Sequence, residues 1–288
     1  MTVPSEKKLL IYIIGAGRSG TTLLDILIGN GENIFSIGEL NRFPNHDGIP
    51  PEFEPETKNY RFWQQIRSRV VRDFDLMSQK KHHSQFEYHV GLLLQLAGLY
   101  SRKSLNVYHS FLCKMYKIIF AETDVDTLIE SSKYPGRALN LSKVLPYRLA
   151  FIYLKRDPVR VVQSFQKKNI EQPPKHWIIA NLYYFLVNLL CHIVLSGIKN
   201  KHMVITIKYE DLLREPIATL EAIQQHLDVN LLAAIEKIRA NRGLEVGCLF
   251  DGNRIRTQEE IYIQGEESAK TFDTIDRLTR TVNYLFYH

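Results

Sequence analysis

The sequence predicts an α/β fold in which a central parallel sheet is flanked by helices. Apolar runs of strand length alternate along the chain with segments of helical periodicity, an order typical of a parallel sheet covered on both faces. The first run, Leu9–Ile14, is continuously apolar, as expected of a strand buried on both sides. It ends in a glycine-rich loop that opens a helix. A single domain over residues 1–288 accounts for this order.

The other elements follow from the same patterns. A first helix is predicted over Thr21–Ile28, because leucine and isoleucine recur there at helical spacing. Residues 60–121 are mostly helical in pattern, so a helical insertion at about 58–121 is predicted between the second and third strands. Further strands are predicted at Asn33–Ile37, Asp126–Glu130, Leu149–Leu154 and Met203–Lys208, and further helices at Pro158–Lys168, Trp177–Ser196 and Pro216–Leu227.

One connection is unusual. The segment from Arg42 to Thr57 is rich in proline and acidic residues, and it is longer and more polar than a routine connection. It is therefore predicted to be a lid, a binding loop or a flexible excursion.

Composition narrows the class of partner. The chain has 37 basic and 31 acidic residues, a net charge of +6, which suits an anionic ligand. The charges are mixed and form no long basic run, so no nucleic acid partner is expected. Three widely separated cysteines lack metal-ligand spacing and indicate free thiols. Together with the absence of a signal-peptide pattern, they predict a cytoplasmic protein.

The stretch Trp177–Ser196 approaches the length of a membrane span and carries no Asp, Glu, Lys or Arg. However, Asn181, Asn188 and His192 fall on one polar stripe of a helix. That stripe favours a buried amphipathic helix of a soluble protein, and no transmembrane segment is expected.

The loop Gly15-Ala16-Gly17-Arg18-Ser19-Gly20-Thr21-Thr22 is suited to an oxyanion. A loop between a strand and a helix presents backbone N–H groups to a ligand, and its glycines allow close approach. Hydroxyls from Ser19, Thr21 and Thr22 add donors, and Arg18 adds a planar cation that suits phosphate or sulfate.

Two general interpretations of this loop are open. The glycines Gly15, Gly17 and Gly20 fit the dinucleotide fingerprint, with Glu39 where a ribose-binding acid would lie. They also fit the spacing of a P-loop, although Thr21 stands at the position of its lysine. Without that lysine, a nucleoside triphosphatase is not expected.

A third interpretation moves the cation to Arg18. The string Arg18-Ser19-Gly20-Thr21-Thr22-Leu23 resembles the 5′-phosphosulfate loop of sulfotransferases that use PAPS (3′-phosphoadenosine 5′-phosphosulfate), in the carbohydrate, tyrosylprotein and bacterial branch. The resemblance implies a P-loop-like fold and a donor cradle formed by Gly17, Arg18, Ser19, Gly20, Thr21 and Thr22.

Later motifs extend the resemblance in order. Arg156 and Ser164, eight residues apart after a strand, are similar to the family's pair for the 3′-phosphate. Ser131-Ser132-Lys133 resembles its S-S-K element, which implies that Lys133 faces the departing phosphate. Tyr209 begins a string that resembles the family's Y-E-D-L, whose tyrosine lies near the nucleotide. Arg256 ends a segment that resembles the family's G-N-x-x-R, which closes over the donor.

Gly38-Glu39 resembles the G-E of the tyrosylprotein-type branch, where the glutamate is the base. A carboxylate within hydrogen-bond reach can take the proton of an acceptor hydroxyl as the new S–O bond forms. Glu39 is therefore the first candidate for the base, and His46 is the second.

The resemblance implies in-line sulfuryl transfer from PAPS to an acceptor hydroxyl, with PAP (3′-phosphoadenosine 5′-phosphate) as product. Glu39, Arg18 and Lys133 are the predicted catalytic residues, and no metal is required. The branch implies a carbohydrate or glycolipid acceptor, for which Phe62, Trp63, Phe86 and Tyr88 are candidate stacking residues. The alternatives are an NAD(P)-binding oxidoreductase and a nucleotide-binding regulator without catalytic activity. The oligomeric state is left open.

Overall fold

A five-stranded parallel sheet forms the centre of the computed structural model, which describes residues 7–51, 53–167, 173–263 and 274–287. The strand order is β2-β3-β1-β4-β5. The predicted parallel sheet flanked by helices is confirmed. The strands are β1 (Leu9–Gly15), β2 (Ile34–Gly38), β3 (Thr127–Lys133), β4 (Arg148–Lys155) and β5 (Met203–Lys208).

The central strand explains why the sheet is buried on both faces. All seven residues of β1 are buried, and the strand pairs in parallel with β3 on one side and β4 on the other. Side chains alternate between the faces of a strand. Tyr12 therefore belongs to one apolar core, with Phe151, while Ile11 and Ile13 belong to the other. A continuous apolar run is the pattern that such a strand requires.

Twelve α-helices are described. They are α1 (Thr21–Gly29), α2 (Lys58–Val70), α3 (Leu76–Phe86), α4 (His89–Leu96), α5 (Arg102–Thr123), α6 (Pro135–Val144), α7 (Pro158–Gln166), α8 (Trp177–Ile198), α9 (Tyr209–Arg214), α10 (Pro216–Leu227), α11 (Leu232–Arg239) and α12 (Thr274–Tyr287). Two 3₁₀ helices, Leu40–His46 and Arg254–Thr257, and a small antiparallel pair, β6 (Leu244–Glu245) with β7 (Glu260–Ile261), complete the described elements.

Four helices, α2 to α5, occupy the chain between β2 and β3. Thr57 begins the first of them, because its side chain accepts a hydrogen bond from the Tyr60 N–H at 3.2 Å. The segment predicted as an irregular loop from Arg42 differs from that prediction at its start, where the 3₁₀ helix Leu40–His46 continues directly from the strand end. Packing of Phe43 in the apolar core fixes this turn.

The apolar helix α8 is the one described helix that is long and apolar enough to cross a membrane, and half of its most apolar window is buried inside the fold. Two residues of the predicted polar stripe have hydrogen-bond partners there. The Tyr153 hydroxyl donates to Asn188 Oδ1 at 2.7 Å, and Asn181 Nδ2 donates to Thr279 Oγ1 at 3.0 Å. These bonds hold the helix against β4 and α12.

Candidate active site

The carboxyl ends of all five strands meet at one edge of the sheet, and each is followed by residues that the sequence singles out. The glycine loop follows β1, Glu39 follows β2, and Lys133 ends β3. Arg156 and Tyr209 follow β4 and β5. Ligands in open α/β sheets bind outside these carboxyl ends. Parallel topology therefore gathers side chains that are far apart in the sequence.

The glycine loop needs its glycines for steric reasons. Gly20, the N-cap of α1, has φ of 88°, and a Cβ there would lie 2.1 Å from the ring of Tyr209. Arg18 also has a left-handed backbone, with φ of 67°. A non-glycine residue holds this conformation at a cost of about 1–2 kcal/mol, and such strain clusters at functional sites.

The loop contains donors suited to an anion. Ser19 is 1% exposed, and its Oγ has no hydrogen-bond partner among the described residues. The first N–H groups of α1 point out of the helix at the same place. Thr21 and Thr22 are buried, and Thr22 Oγ1 accepts a hydrogen bond from the Asn253 N–H at 3.1 Å. An oxyanion would satisfy these donors.

A second cation lies against the loop. Arg156 Nη1 donates to the Arg18 carbonyl at 2.8 Å, and its guanidinium lies 4.3 Å from the centroid of the Tyr209 ring. Arg156 Nε is buried and has no hydrogen-bond partner within the described part of the chain. Ser164 lies in the second turn of α7, half-buried. Arg156 and Tyr209 are thus brought together with the loop.

Glu39 and Lys133 form an ion pair at the ends of β2 and β3. Arg42 Nε lies 3.8 Å from the second Glu39 oxygen. Lys133 has a left-handed backbone with φ of 65°, and Gly38 must be glycine because a Cβ would lie 2.6 Å from the Asp251 carbonyl. The predicted base therefore stands between two cations at the edge of the sheet, with 9% of its side chain exposed.

Asp251 is a residue of this edge that the sequence analysis missed. Its carboxylate lies 3.4 Å from His46 Nε2, 3.9 Å from Arg42 Nε and 3.2 Å from Arg256 Nε. Burial opposes ionisation, but the His46 hydrogen bond, the Gly252 N–H and the arginine charges outweigh it, so the pKa of Asp251 lies below its ordinary value. His46, the second base candidate, is thereby held next to the Glu39 cluster.

Arg256 is placed differently from the other predicted donor residues. Its guanidinium contacts Asp251 and donates to the Pro51 carbonyl at 3.3 Å. The contact between its segment and the glycine loop is made by the Asn253 backbone. Arg256 is 4% exposed, so its buried side chain stabilises the segment from Asp251 to Arg256 in this structure.

Two further residues beside the loop were missed because they belong to the apolar helix α8 and the chain leading into it. The Gly17 N–H donates to the Tyr183 hydroxyl at 3.0 Å, and burial is the main cause that raises the Tyr183 pKa to about 12. Lys175 Nζ lies 4.8 Å from the centroid of the Tyr183 ring. Burial and the charge of Arg18 lower the Lys175 pKa.

Behind β3 lies a buried charge network that no motif predicted. Arg137 donates through Nε to Glu130 at 2.6 Å and through Nη1 to Glu87 at 2.7 Å. Tyr116 donates to Glu130, and His83 contacts Glu87 at 2.7 Å. Burial favours the neutral acid, but Arg137 and His83 lower the pKa of Glu87 to about 2.

The strand order argues against the dinucleotide interpretation of Glu39. In the dinucleotide-binding order the second strand lies beside the first, so that its terminal acid reaches the ribose. Here β3 lies between β1 and β2. Among the described residues, no group of three or more His, Cys, Asp or Glu could hold a metal ion.

A sequence model of the sulfotransferase family matches residues 11–232, from β1 to the start of α11. The chain belongs to the sulfotransferase family. No curated protein matches the sequence significantly. Among solved structures, this sulfotransferase fold is similar to the sulfotransferase domain from the curacin biosynthetic pathway, with a TM-score of 0.57, 16% identity and 99% of each chain covered.

It is also similar to the sulfotransferase STF9 from Mycobacterium avium, with a TM-score of 0.50 and 14% identity, over 83% of this chain and 68% of the other. At these identities the neighbours establish the fold. Family and fold together support sulfotransfer as the activity, so the predicted recognition of the family is confirmed at that level.

Proposed function

We propose that this sulfotransferase moves the sulfuryl group of PAPS to an acceptor hydroxyl. The acceptor oxygen bonds to sulfur, the bond from sulfur to the 5′-phosphate oxygen breaks, and PAP leaves. The acceptor proton passes to a carboxylate. The observation that carries the proposal is the contact between two anion-binding elements. Arg156 bonds to the Arg18 carbonyl of a loop whose Ser19 hydroxyl has no hydrogen-bond partner among the described residues.

The donor has two anionic ends, and the two elements suit one each. The loop and the α1 N-terminus would take the 5′-phosphosulfate through backbone N–H groups, Ser19, Thr21 and Thr22. Arg156, whose buried Nε has no hydrogen-bond partner in the described ranges, would take the 3′-phosphate, with Ser164 assisting. Tyr209 would hold the Arg156 guanidinium flat against its ring.

Glu39 is the proposed base, and Lys133 and Arg18 stabilise charge on the transferred group. In-line transfer depends mainly on positioning and electrostatic stabilisation. The Glu39–Lys133 ion pair holds the base and a cation together at the edge of the sheet. On substrate binding, the acceptor hydroxyl would donate to Glu39 while Lys133 turns towards the phosphate that departs.

A carbohydrate hydroxyl, free or on a glycolipid, is the proposed acceptor. Ring centroids of Tyr88 and Tyr134 lie 5.4 Å apart, His89 lies 5.9 Å from both Tyr134 and Tyr183, and Tyr183 touches the loop. Among the causes that raise the Tyr134 pKa, burial is the largest and the Glu39 charge is a smaller one. Partly exposed aromatic rings beside the base suit the face of a sugar.

The other aromatic candidates are core residues. Trp63 is fully buried and donates to the Cys248 carbonyl at 2.8 Å, Phe86 is buried in the core, and Phe62 is partly buried against it. A cytoplasmic location also stays a proposal, supported by the free thiols of Cys113, Cys191 and Cys248.

Thermal unfolding with PAP, ADP or NAD tests the donor assignment. A ligand at a hundredfold excess over its dissociation constant stabilises the fold by about 2.7 kcal/mol. PAP is expected to raise the melting temperature clearly more than ADP, because only PAP carries the 3′-phosphate. Stabilisation by NAD and not by PAP would contradict the proposal. PAP binding without sulfuryl transfer to any member of a broad acceptor panel would favour the regulator.

The variant Arg156→Gln sharpens this test. Loss of a charge-assisted contact to the 3′-phosphate is expected to weaken PAP binding about tenfold to a hundredfold and to leave ADP binding nearly unchanged. Arg148→Gln, at the opposite end of the same strand, is the matched control. Equal losses of affinity for PAP and ADP would show that Arg156 does not bind the 3′-phosphate.

A further inference from the structure

The last helix, α12, is amphipathic in the reverse of the usual sense. Its buried positions are Asp276, Thr279, Asn283 and Phe286, of which three are polar. These polar side chains have partners inside the protein, since Asn283 Nδ2 donates to Asn181 Oδ1 at 2.9 Å. Its exposed positions include the apolar Ile275, Leu278, Val282 and Leu285, the last 80% exposed. A helix on an aqueous surface normally has the opposite arrangement.

The apolar helix α8 carries a second exposed stripe. Its exposed apolar residues, Ile178, Ile179, Leu182, Leu189 and Ile193, recur at helical spacing over nearly its whole length. The opposite face is buried and holds the polar contacts to β4 and α12. The helix therefore belongs to the fold on one side and leaves an apolar stripe on the other.

The two stripes lie side by side. Asn181 contacts Thr279, and Phe185 and His192 contact Phe286, so the helices run in the same direction across their contact. On α8, Ile178, Leu182 and Leu189 stand three positions before the contacting residues Asn181, Phe185 and His192. On α12, Ile275 and Val282 stand four positions before Thr279 and Phe286. Steps of three and four turn a helix surface in opposite senses, so both stripes fall on the same side. We call this surface the apolar platform: Ile178, Ile179, Leu182, Leu189, Ile193, Ile275, Leu278, Val282 and Leu285.

The exposed charged side chains have one sign in the described residues of α8, α12 and the turn after α8. In α8 and α12, as far as the structure describes them, the only acidic residue is Asp276, which is buried. Arg277 is exposed on α12, and Lys199 and Lys201 are exposed just beyond the end of α8. An apolar stripe flanked by lysine and arginine is complementary to an anionic lipid surface.

We infer that the apolar platform docks on the surface of a bilayer that contains anionic lipids. The apolar side chains would enter the boundary between headgroups and acyl chains, while Arg277, Lys199 and Lys201 face the phosphates. Spanning is not involved, because α8 would have to leave its buried partners Tyr153 and Thr279. A second copy is the other candidate occupant, but a twofold interface would bring together two apolar stripes that both have basic borders.

Sedimentation with phospholipid vesicles tests the inference. The wild-type protein is expected to pellet with vesicles that contain about a third phosphatidylglycerol, less at high salt, and weakly with pure phosphatidylcholine. The triple variant Leu182→Gln, Leu278→Gln, Leu285→Gln is expected to lose at least about tenfold in partition, because three exposed apolar side chains no longer insert. All three positions are exposed, so thermal unfolding and PAP binding should be unchanged.

Leu232→Gln is the matched control. Leu232 is 50% exposed, like Leu278, but lies on α11, over the opposite face of the sheet. The Leu232→Gln protein should pellet like the wild type. A second triple variant, Lys199→Gln with Lys201→Gln and Arg277→Gln, should lose the preference for anionic vesicles. Wild-type protein that stays in the supernatant, or a triple variant that pellets equally, overturns the inference. If the wild type forms a dimer without lipid and the triple variant does not, the inference is also overturned, and the apolar platform is then the interface with a second copy.

Discussion

Two charge clusters lie at either side of the end of β3, and they differ in what surrounds them. The inner cluster joins Arg137 to Glu130 and Glu87, all 2% exposed or less; Tyr116 donates to Glu130, and His83 contacts Glu87. The outer cluster joins Glu39 to Lys133 and Arg42, whose cations are 18% and 37% exposed. The inner ions are fixed by their partners, whereas the outer ones stand where a substrate can replace a partner.

Because both clusters contain ion-paired carboxylates, an ion pair is not by itself evidence that a carboxylate has a function. Buried ion pairs satisfy charges that burial would otherwise make costly, and their removal leaves an uncompensated ion. Ion pairs open to solvent contribute little to stability. The difference in exposure therefore predicts opposite consequences of mutation on the two sides of the same strand.

The largest expected effect is on the inner cluster. Arg137→Met removes the cation between Glu130 and Glu87, and we expect the free energy of unfolding to fall by about 3–5 kcal/mol. Urea denaturation measures this free energy. The matched control, Arg239→Met, breaks the half-exposed pair with Glu221 and should cost less than about 1 kcal/mol. Equal costs would mean that burial does not distinguish the clusters.

A third carboxyl sharpens the comparison, because it is as buried as the inner cluster but forms no ion pair with any residue that the structure describes. Asp25 accepts a hydrogen bond from Ser131 at 2.6 Å, and burial raises its pKa to about 7. A raised folded-state pKa favours the fold at low pH, and this contribution is lost as pH rises. Between pH 4 and 7 we expect a loss of about 3 kcal/mol, which Asp25→Asn should abolish.

Urea denaturation at several pH values measures this dependence. The exposed Asp228→Asn is the control and should keep the wild-type slope. An Asp25→Asn protein whose stability changes with pH as the wild type does would show that Asp25 is ionised in the fold throughout this range.

The smallest expected effect is the change in unfolding free energy when the outer cluster is mutated. Lys133→Met should change the free energy of unfolding by less than about 1 kcal/mol, because the lysine is partly exposed and its partner Glu39 keeps Arg42 nearby. Sulfuryl transfer by the same variant should fall sharply. A loss of stability comparable to that of Arg137→Met would make Lys133 a structural residue.

Much of the candidate site could be predicted from the sequence, because parallel strands bring their carboxyl ends to one edge. Leu9–Ile14, the end of β3 and the start of α7 are local patterns, so Arg18, Lys133 and Arg156 could be placed there from sequence alone. These predictions of position say nothing about partners. The pairing of Glu39 with Lys133 joins residues 94 positions apart.

The remainder depends on tertiary contacts that leave no local signal. Tyr183 belongs to an apolar helix, so the sequence pattern predicts a core residue. In the structure its hydroxyl accepts a hydrogen bond from the Gly17 N–H. Asp251 follows no recognised motif, and Arg137 and Glu87 are 50 positions apart. The polar residues that α12 buries have the spacing of an ordinary solvent face, so their burial could not be predicted from periodicity.

Sulfuryl transfer from labelled PAPS by Glu39→Gln tests the central claim most directly, with the acceptor that the wild type uses best. Glutamine keeps the shape but cannot take the acceptor proton, so turnover should fall by at least about a hundredfold. PAP affinity and the melting temperature should stay at wild-type values, and His46→Gln should retain most of the activity. Full turnover by Glu39→Gln, or a comparable loss in His46→Gln alone, would contradict the account.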